Sequence, residues 1–158
     1  MKITVYGATE NEEYLFSYFI RWALEYRLGK ENTANITIDL TFTDDVYNRK
    51  RWAEIIPVDF LDGYPYAFHM NIARHITVMQ SFRLIAHEVS HVVQYVSGDY
   101  VAGPNDSVVW LDQEYSSEHF QEGFEPWELE ARGYEWALVE TFVKENDYQY
   151  QNWYQPLK

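Results

Sequence analysis

The chain reads as a single α+β domain spanning residues 1–158, and three observations predict it. Short apolar–polar alternations at residues 2–6, 35–43 and 66–72 carry the period of half-buried strands. Longer stretches at 10–28, 77–96 and 126–145 repeat their apolar residues at the spacing of amphipathic helices. With 158 residues and no repeat, low-complexity tract or linker, the chain has one domain's worth of length, enough to bury a core without staples.

In order, residues 2–6 form a first strand closed by Gly7. Tyr14, Leu15, Tyr18, Phe19, Trp22 and Tyr26 then mark one face of a helix over 10–28, with Gly29 beyond its end. Ile36, Ile38, Leu40 and Phe42 fall on one face of the strand at 35–43, and Asp44 and Asp45 suggest a turn. Residues 51–60 read as a strand interrupted by Pro57, and a turn at 63–65 leads into the strand at 66–72. The second helix, 77–96, stops at Ser97 and Gly98. A loop at 103–106 separates a short segment at 100–102 from a strand-like run at 107–115. The third helix opens with Pro126 at its first position, where the missing N–H is not needed, and runs to about Glu145. The aromatic tail from Tyr148 is expected to pack on the surface.

Composition narrows the partners. Twenty-five acidic residues against 12 basic ones give a net charge of −13, a surface that repels phosphate backbones and excludes nucleic acid as an expected partner. No basic run reads as a membrane-surface patch. Residues 14–24 are too few to span a bilayer and include Arg21. The first residues lack a signal peptide's apolar core, having Glu10, Glu12 and Glu13 in its place, so a cytoplasmic location is expected. There is no cysteine, so any zinc must sit on histidine and carboxylate.

The chemical motif is His87-Glu88-Val89-Ser90-His91. Histidines at i and i+4 lie one turn apart on one helical face, so both imidazoles can reach a single ion. The glutamate between them is placed to act as a base on water polarised by that ion. On the helix, Ile85, Val89, Val92, Val93 and Val96 form an apolar stripe. The histidines lie roughly opposite it, alongside Arg83, Gln94 and Tyr95. The competing reading is a pair of surface histidines on an amphipathic helix, which demands nothing downstream; a zinc site demands a third ligand.

The last helix offers two, Glu128 and Glu130. Glu128 shares its face with Ala131, Glu135, Leu138, Val139 and Phe142, the inward stripe, whereas Glu130 falls with Ala137, Thr141 and Lys144. The small Ala131 lets this helix approach its neighbour closely. Glu128 is therefore the expected ligand with His87 and His91, and Glu88 the expected catalytic base. A structural salt bridge from Glu128 to Arg83 or Arg132 is the alternative. Glu135, two turns on, reads either as a partner for a ligand histidine or as a core ion pair.

At these residues the chain resembles the HExxH zincin metallopeptidases of the gluzincin kind, with the third ligand on a later helix. More narrowly, it is similar to small phage-encoded zincins that share an HExxHxxQ helix, a tryptophan-bearing hairpin and a helix opening Pro-Trp-Glu-x-Glu-Ala. The matching pieces are His87 to Gln94, Trp110, and Pro126 to Ala131, within the C-terminal half. The resemblance implies a small β-sheet backed by helices with the metal helix beneath it, one Zn²⁺ per chain, and hydrolysis of a peptide or protein substrate. For a phage-encoded protein it also admits host cytoplasm or virion as the location.

It further implies that the strand at 66–73 borders the cleft, where an extended substrate could add along its edge. The oxyanion-stabilising group of the larger relatives has no unambiguous counterpart; Tyr95, Tyr115, His119 and Tyr134 compete by residue type. His69 and His75 read as solvated or packing histidines. Two other functions compete with hydrolysis. One is a zinc-binding interaction or virion-associated module without turnover, which would have no use for Glu88. The other is a carbohydrate-binding surface of Tyr and Trp, which requires Trp22, Trp127 and Trp136 to be exposed.

Overall fold

The computed structural model describes residues 1–48, 51–103, 107–116, 123–146 and 157, with backbone alone at 47 and 48. Strand β1 (Lys2–Tyr6) leads into helix α1 (Glu10–Leu28), a 3₁₀ turn (Lys30–Thr33) and strand β2 (Thr37–Thr43). A single helical turn, α2 (Asp45–Asn48), takes the place of the simple turn expected at Asp44 and Asp45. Strands β3 (Ala53–Leu61) and β4 (Tyr64–Ala73) form a hairpin, followed by helix α3 (Val78–Ser97). A small meander, β5 (Tyr100–Ala102), β6 (Ser107–Trp110) and β7 (Gln113–Ser116), then precedes helix α4 (Pro126–Glu145). The class is mixed α+β. No helix among the described residues is long and apolar enough to cross a membrane.

The main sheet has the order β1-β2-β4-β3, with β1, β2 and β4 parallel and β3 antiparallel to β4. This corrects the expectation that residues 66–73 offer a free edge. Strand β4 pairs on both sides, with Thr37↔Ala67 through Thr43↔Ala73 toward β2, and the edge strands are β1 and β3. Pro57 does not interrupt β3, because an edge strand tolerates the missing N–H. The pairing steps from Pro57↔Phe68 to Asp59↔Ala67 beside it, leaving Val58 as the extra residue of a bulge. The hairpin turn sits at Asp62 (φ 53°) and Gly63 (φ 88°), starting one residue before the turn expected at 63–65, because both central positions of this turn need positive φ.

The core forms where α1 and α3 cover one face of that sheet and α4 packs on the two helices. Ile38, Leu40 and Phe42 of β2 and Phe68, Met70 and Ile72 of β4 are fully buried against Phe16, Phe19, Phe82 and Val89. Phe142 fixes α4 onto this layer, with ring centroids 5.0 Å from Phe19, 5.2 Å from Trp22 and 5.9 Å from Phe82. The ends of α3 explain its length. Thr77 Oγ1 accepts from the Gln80 amide N–H (3.2 Å) while Gln80 Oε1 accepts from the Thr77 N–H (2.9 Å), a capping box. At the other end Gly98 takes a left-handed conformation (φ 79°), with the ring of Tyr64 closing over it. The meander packs on the start of α4 through Trp110, whose ring lies 6.3 Å from Trp127, and through Tyr100, at 5.4 Å.

Candidate metal centre

Helix α3 is buried around most of its circumference. Val89 and Val92 face the core, yet Glu88 (4 % exposed), His91 (9 %) and Gln94 (1 %) are enclosed as well, by α4 on the other side. That enclosure overturns the surface-histidine alternative: these residues lie under a second helix. Ala131 of α4 is completely buried, which permits the close approach.

Three donor atoms converge there. His87 Nε2 and His91 Nε2 are 3.1 Å apart, His87 Nε2 lies 3.2 Å from Glu128 Oε2, and His91 Nε2 lies 3.4 Å from Glu128 Oε1. Ligand atoms about 2.0–2.1 Å from a tetrahedral centre stand roughly 3.3–3.4 Å from one another. The triangle therefore has the size of one face of such a coordination shell, and the group His87, His91 and Glu128 could hold a metal ion. Glu128 pairs with the histidines, not with Arg83 or Arg132.

Both imidazoles are oriented from behind. His91 Nδ1 lies 2.7 Å from Gln94 Oε1, and the Gln94 amide is itself oriented by donating to Trp127 O (2.9 Å) and Glu130 Oε2 (2.7 Å). His87 Nδ1 lies 3.2 Å from Glu135 Oε1, while Arg83 Nη2 donates to Glu135 Oε2 at 2.8 Å. An amide oxygen and a carboxylate only accept, so each ring carries its proton on Nδ1 and turns the Nε2 lone pair inward. With the rings neutral, two lone pairs and a carboxylate face one another, an arrangement that repels itself until a cation, a metal ion or protons on Nε2, lies between them. Glu130 is thus the support of His91 through Gln94, and Glu135 supports His87 while closing an ion pair with Arg83.

The electrostatics follow from that crowding. Burial disfavours the charged imidazole of His87, but hydrogen bonds to Glu128 and Glu135 and the nearby Glu88 charge outweigh it and lift its pKa well above the ordinary value. His91 moves the same way against burial, through Glu128 and Glu88. Burial also acts against the Glu128 carboxylate, yet the two histidines hold it far below the usual range. For Glu88 burial wins, and its carboxyl is raised despite His91 and His87.

These side chains border an open cleft of about 500 Å³ between the start of β3 and the start of α4. Glu88 lines it without a hydrogen bond to any described residue. Of the four oxyanion candidates, Tyr95 lines the cleft. Tyr134 instead lies under the Arg27 guanidinium, 3.5 Å from its ring centre, and Tyr115 packs against Trp127. His119 and the tail from Tyr148 lie outside the described residues. His69 and His75 are exposed, 3.9 Å and 3.7 Å from Asp39 and Asp44, on other parts of the surface. Of the three helix tryptophans, Trp22 and Trp127 are half-buried in aromatic clusters and Trp136, 46 % exposed, faces solvent beneath Arg83. A sugar-binding surface built on all three is therefore not presented.

Two cleft residues escaped the sequence. Tyr100 stacks edge-on to Tyr95 with centroids 4.9 Å apart, and nothing in a three-residue strand announced it. Glu54 is 7 % exposed on β3 and accepts from Asn71 Nδ2 at 2.9 Å. An acidic residue on the inward alternation of a strand was its available signal. Comparison of the chain with protein-family models, with curated proteins and with solved structures returns no match, so the chemistry of the centre is read from its own geometry.

Proposed function

We propose that the chain is a zinc-dependent metallopeptidase of the zincin type, with His87, His91 and Glu128 as ligands and Glu88 as general base. The observation that carries the reading is the convergence of three donors at 3.1–3.4 Å with both Nδ1 atoms tied off behind them. A set of two imidazoles and one carboxylate, with no thiolate, suits zinc, and three protein ligands leave a position open, as catalytic sites require. The sheet backed by α1 and α3, with the third ligand on a following helix, supports the zincin reading. Zinc, when bound, would polarise a water and a substrate carbonyl. Glu88 takes the proton of the attacking water and passes it to the departing amine, a role its cleft position allows. A zinc module without turnover would need the ligands alone, so Glu88 weighs for the enzyme.

Elemental analysis of the purified protein tests the centre. About one zinc per chain is expected, lost in Glu128→Ala and kept in Glu130→Ala. Hydrolysis of a quenched-fluorescent peptide library that disappears in a zinc-loaded Glu88→Gln variant tests the activity. No zinc uptake by the wild type, or equal uptake by Glu128→Ala, would overturn the proposal.

A further inference from the structure

The cleft carries a charge pattern that the metal centre does not use. In a chain of net charge −13, two arginines line it: Arg51, just ahead of β3, and Arg132, one helical turn beyond Glu128 on α4. The other arginines near the core are engaged. Arg27 stacks on Tyr134 and lies 3.8 Å from Glu130, Arg74 donates to Phe42 O, and Arg83 pairs with Glu135. Among the described residues neither Arg51 nor Arg132 has a side-chain hydrogen bond, ion pair or ring contact, although four glutamates line the same cleft. Glu128 is occupied by the histidines and Glu54 by Asn71. Gly123 makes room for Arg132: a Cβ there would come within 2.6 Å of its Nη2, and φ is +81°. In sequence, Arg51 ends the run Arg49-Lys50-Arg51, the one place where three basic residues are consecutive.

We propose that Arg51 and Arg132 select a peptide substrate that presents a carboxylate in the cleft. The inference rests on the peptidase reading for the identity of the ligand, and on the unpaired guanidiniums for its charge. Guanidinium stays charged at all working pH values and matches a carboxylate with two parallel N–H donors. Much of this acidic surface repels such a ligand, whereas Arg51 and Arg132 place two exposed cations on the lining of the cleft that holds the metal centre. The carboxylate comes either from an Asp or Glu side chain or from a free C-terminus.

The test reads binding, so that it stands apart from turnover. Fluorescein-labelled hexapeptides of alanine and phenylalanine carry one Glu or Gln at each position in turn, and each is made with a free or an amidated C-terminus. Their dissociation constants are measured by fluorescence polarisation with the full chain in the presence of zinc. Carboxylate peptides are expected to bind about fivefold or more tightly than their amide counterparts. The preference should fall to about twofold or less in Arg51→Gln, Arg132→Gln or the double variant, with zinc content unchanged. A preference that follows the Glu/Gln exchange assigns the side chain, and one that follows amidation assigns the C-terminus. Equal binding of acid and amide peptides, no peptide binding, or a preference that survives the double variant overturns the proposal. That last outcome would place the carboxylate on the metal instead. A preference abolished in the variants without any peptide cleavage would sink the peptidase reading and leave the carboxylate site standing.

Discussion

Gln94 offers the sharpest perturbation, because it joins the metal centre to α4 through three hydrogen bonds and is 1 % exposed. Gln94→Leu keeps the volume roughly constant and removes all three. His91 Nδ1 then loses its partner inside the protein, at about 1–3 kcal/mol, whereas Trp127 O keeps its place in the α4 hydrogen-bond ladder and Glu130, 36 % exposed at its side chain, can turn to water. The metal-free protein should lose roughly 1–3 kcal/mol and melt about 2–12 °C lower, at ~2–4 °C per kcal/mol for a domain of this size. Separately, His91 loses the contact that fixes its tautomer, which lowers metal affinity about 10–100-fold. Gln94→Glu separates the two effects. It keeps an acceptor for His91 Nδ1 but sets a carboxylate against Glu130 and Trp127 O, so it destabilises the metal-free fold while holding zinc affinity within about threefold of wild type. Affinity is measured by competition with a chromogenic chelator, and stability by thermal unfolding of chelator-treated protein. Zinc affinity in Gln94→Leu within threefold of wild type, or an equal loss in both variants, would refute the claim that Gln94 orients His91.

Glu135→Leu removes the acceptor behind His87 and should also weaken zinc about 10–100-fold, again read by chelator competition. Zinc at about 100 times its dissociation constant should stabilise the wild type by ~2.7 kcal/mol, a rise of roughly 5–11 °C in a thermal melt that Glu128→Ala does not show. Phe142→Ala opens a cavity among Phe19, Trp22 and Phe82 and should cost about 3–5 kcal/mol in denaturant unfolding. In the opposite direction, Leu111→Asn should stabilise the protein by about 0.5–1 kcal/mol. Leu111 is 60 % exposed and sits at φ 48° in the two-residue β6–β7 turn, a conformation that asparagine adopts more readily. A loss of stability in that variant would show that the leucine makes a contact worth more than its backbone strain.

Local periodicity determined much of this protein by itself. The bounds of α1 and α4, the buried face of β2 and the placing of His87 and His91 on one side of a helix all follow from spacings of two to four residues. Such spacings depend on backbone geometry, which any stretch of chain carries with it. Even the choice of Glu128 over Glu130 as the residue facing the histidines was legible, because the two lie on different sides of one helix. The β6–β7 turn was hidden because Leu111-Asp112 lacks the glycine or asparagine that marks positive φ, and the turn read at 63–65 was drawn toward Pro65 by one residue. Only the tertiary structure decided that β3 rather than β4 lies at an edge of the sheet, since strand order depends on which elements cover the sheet. It likewise brought Glu54 and Tyr100 to the cleft, linked Glu130 to His91 through Gln94, and set Glu135 behind His87, 48 positions away in the chain. Those are contacts between surfaces of separate elements, and no period within one element encodes which residue of another will meet it.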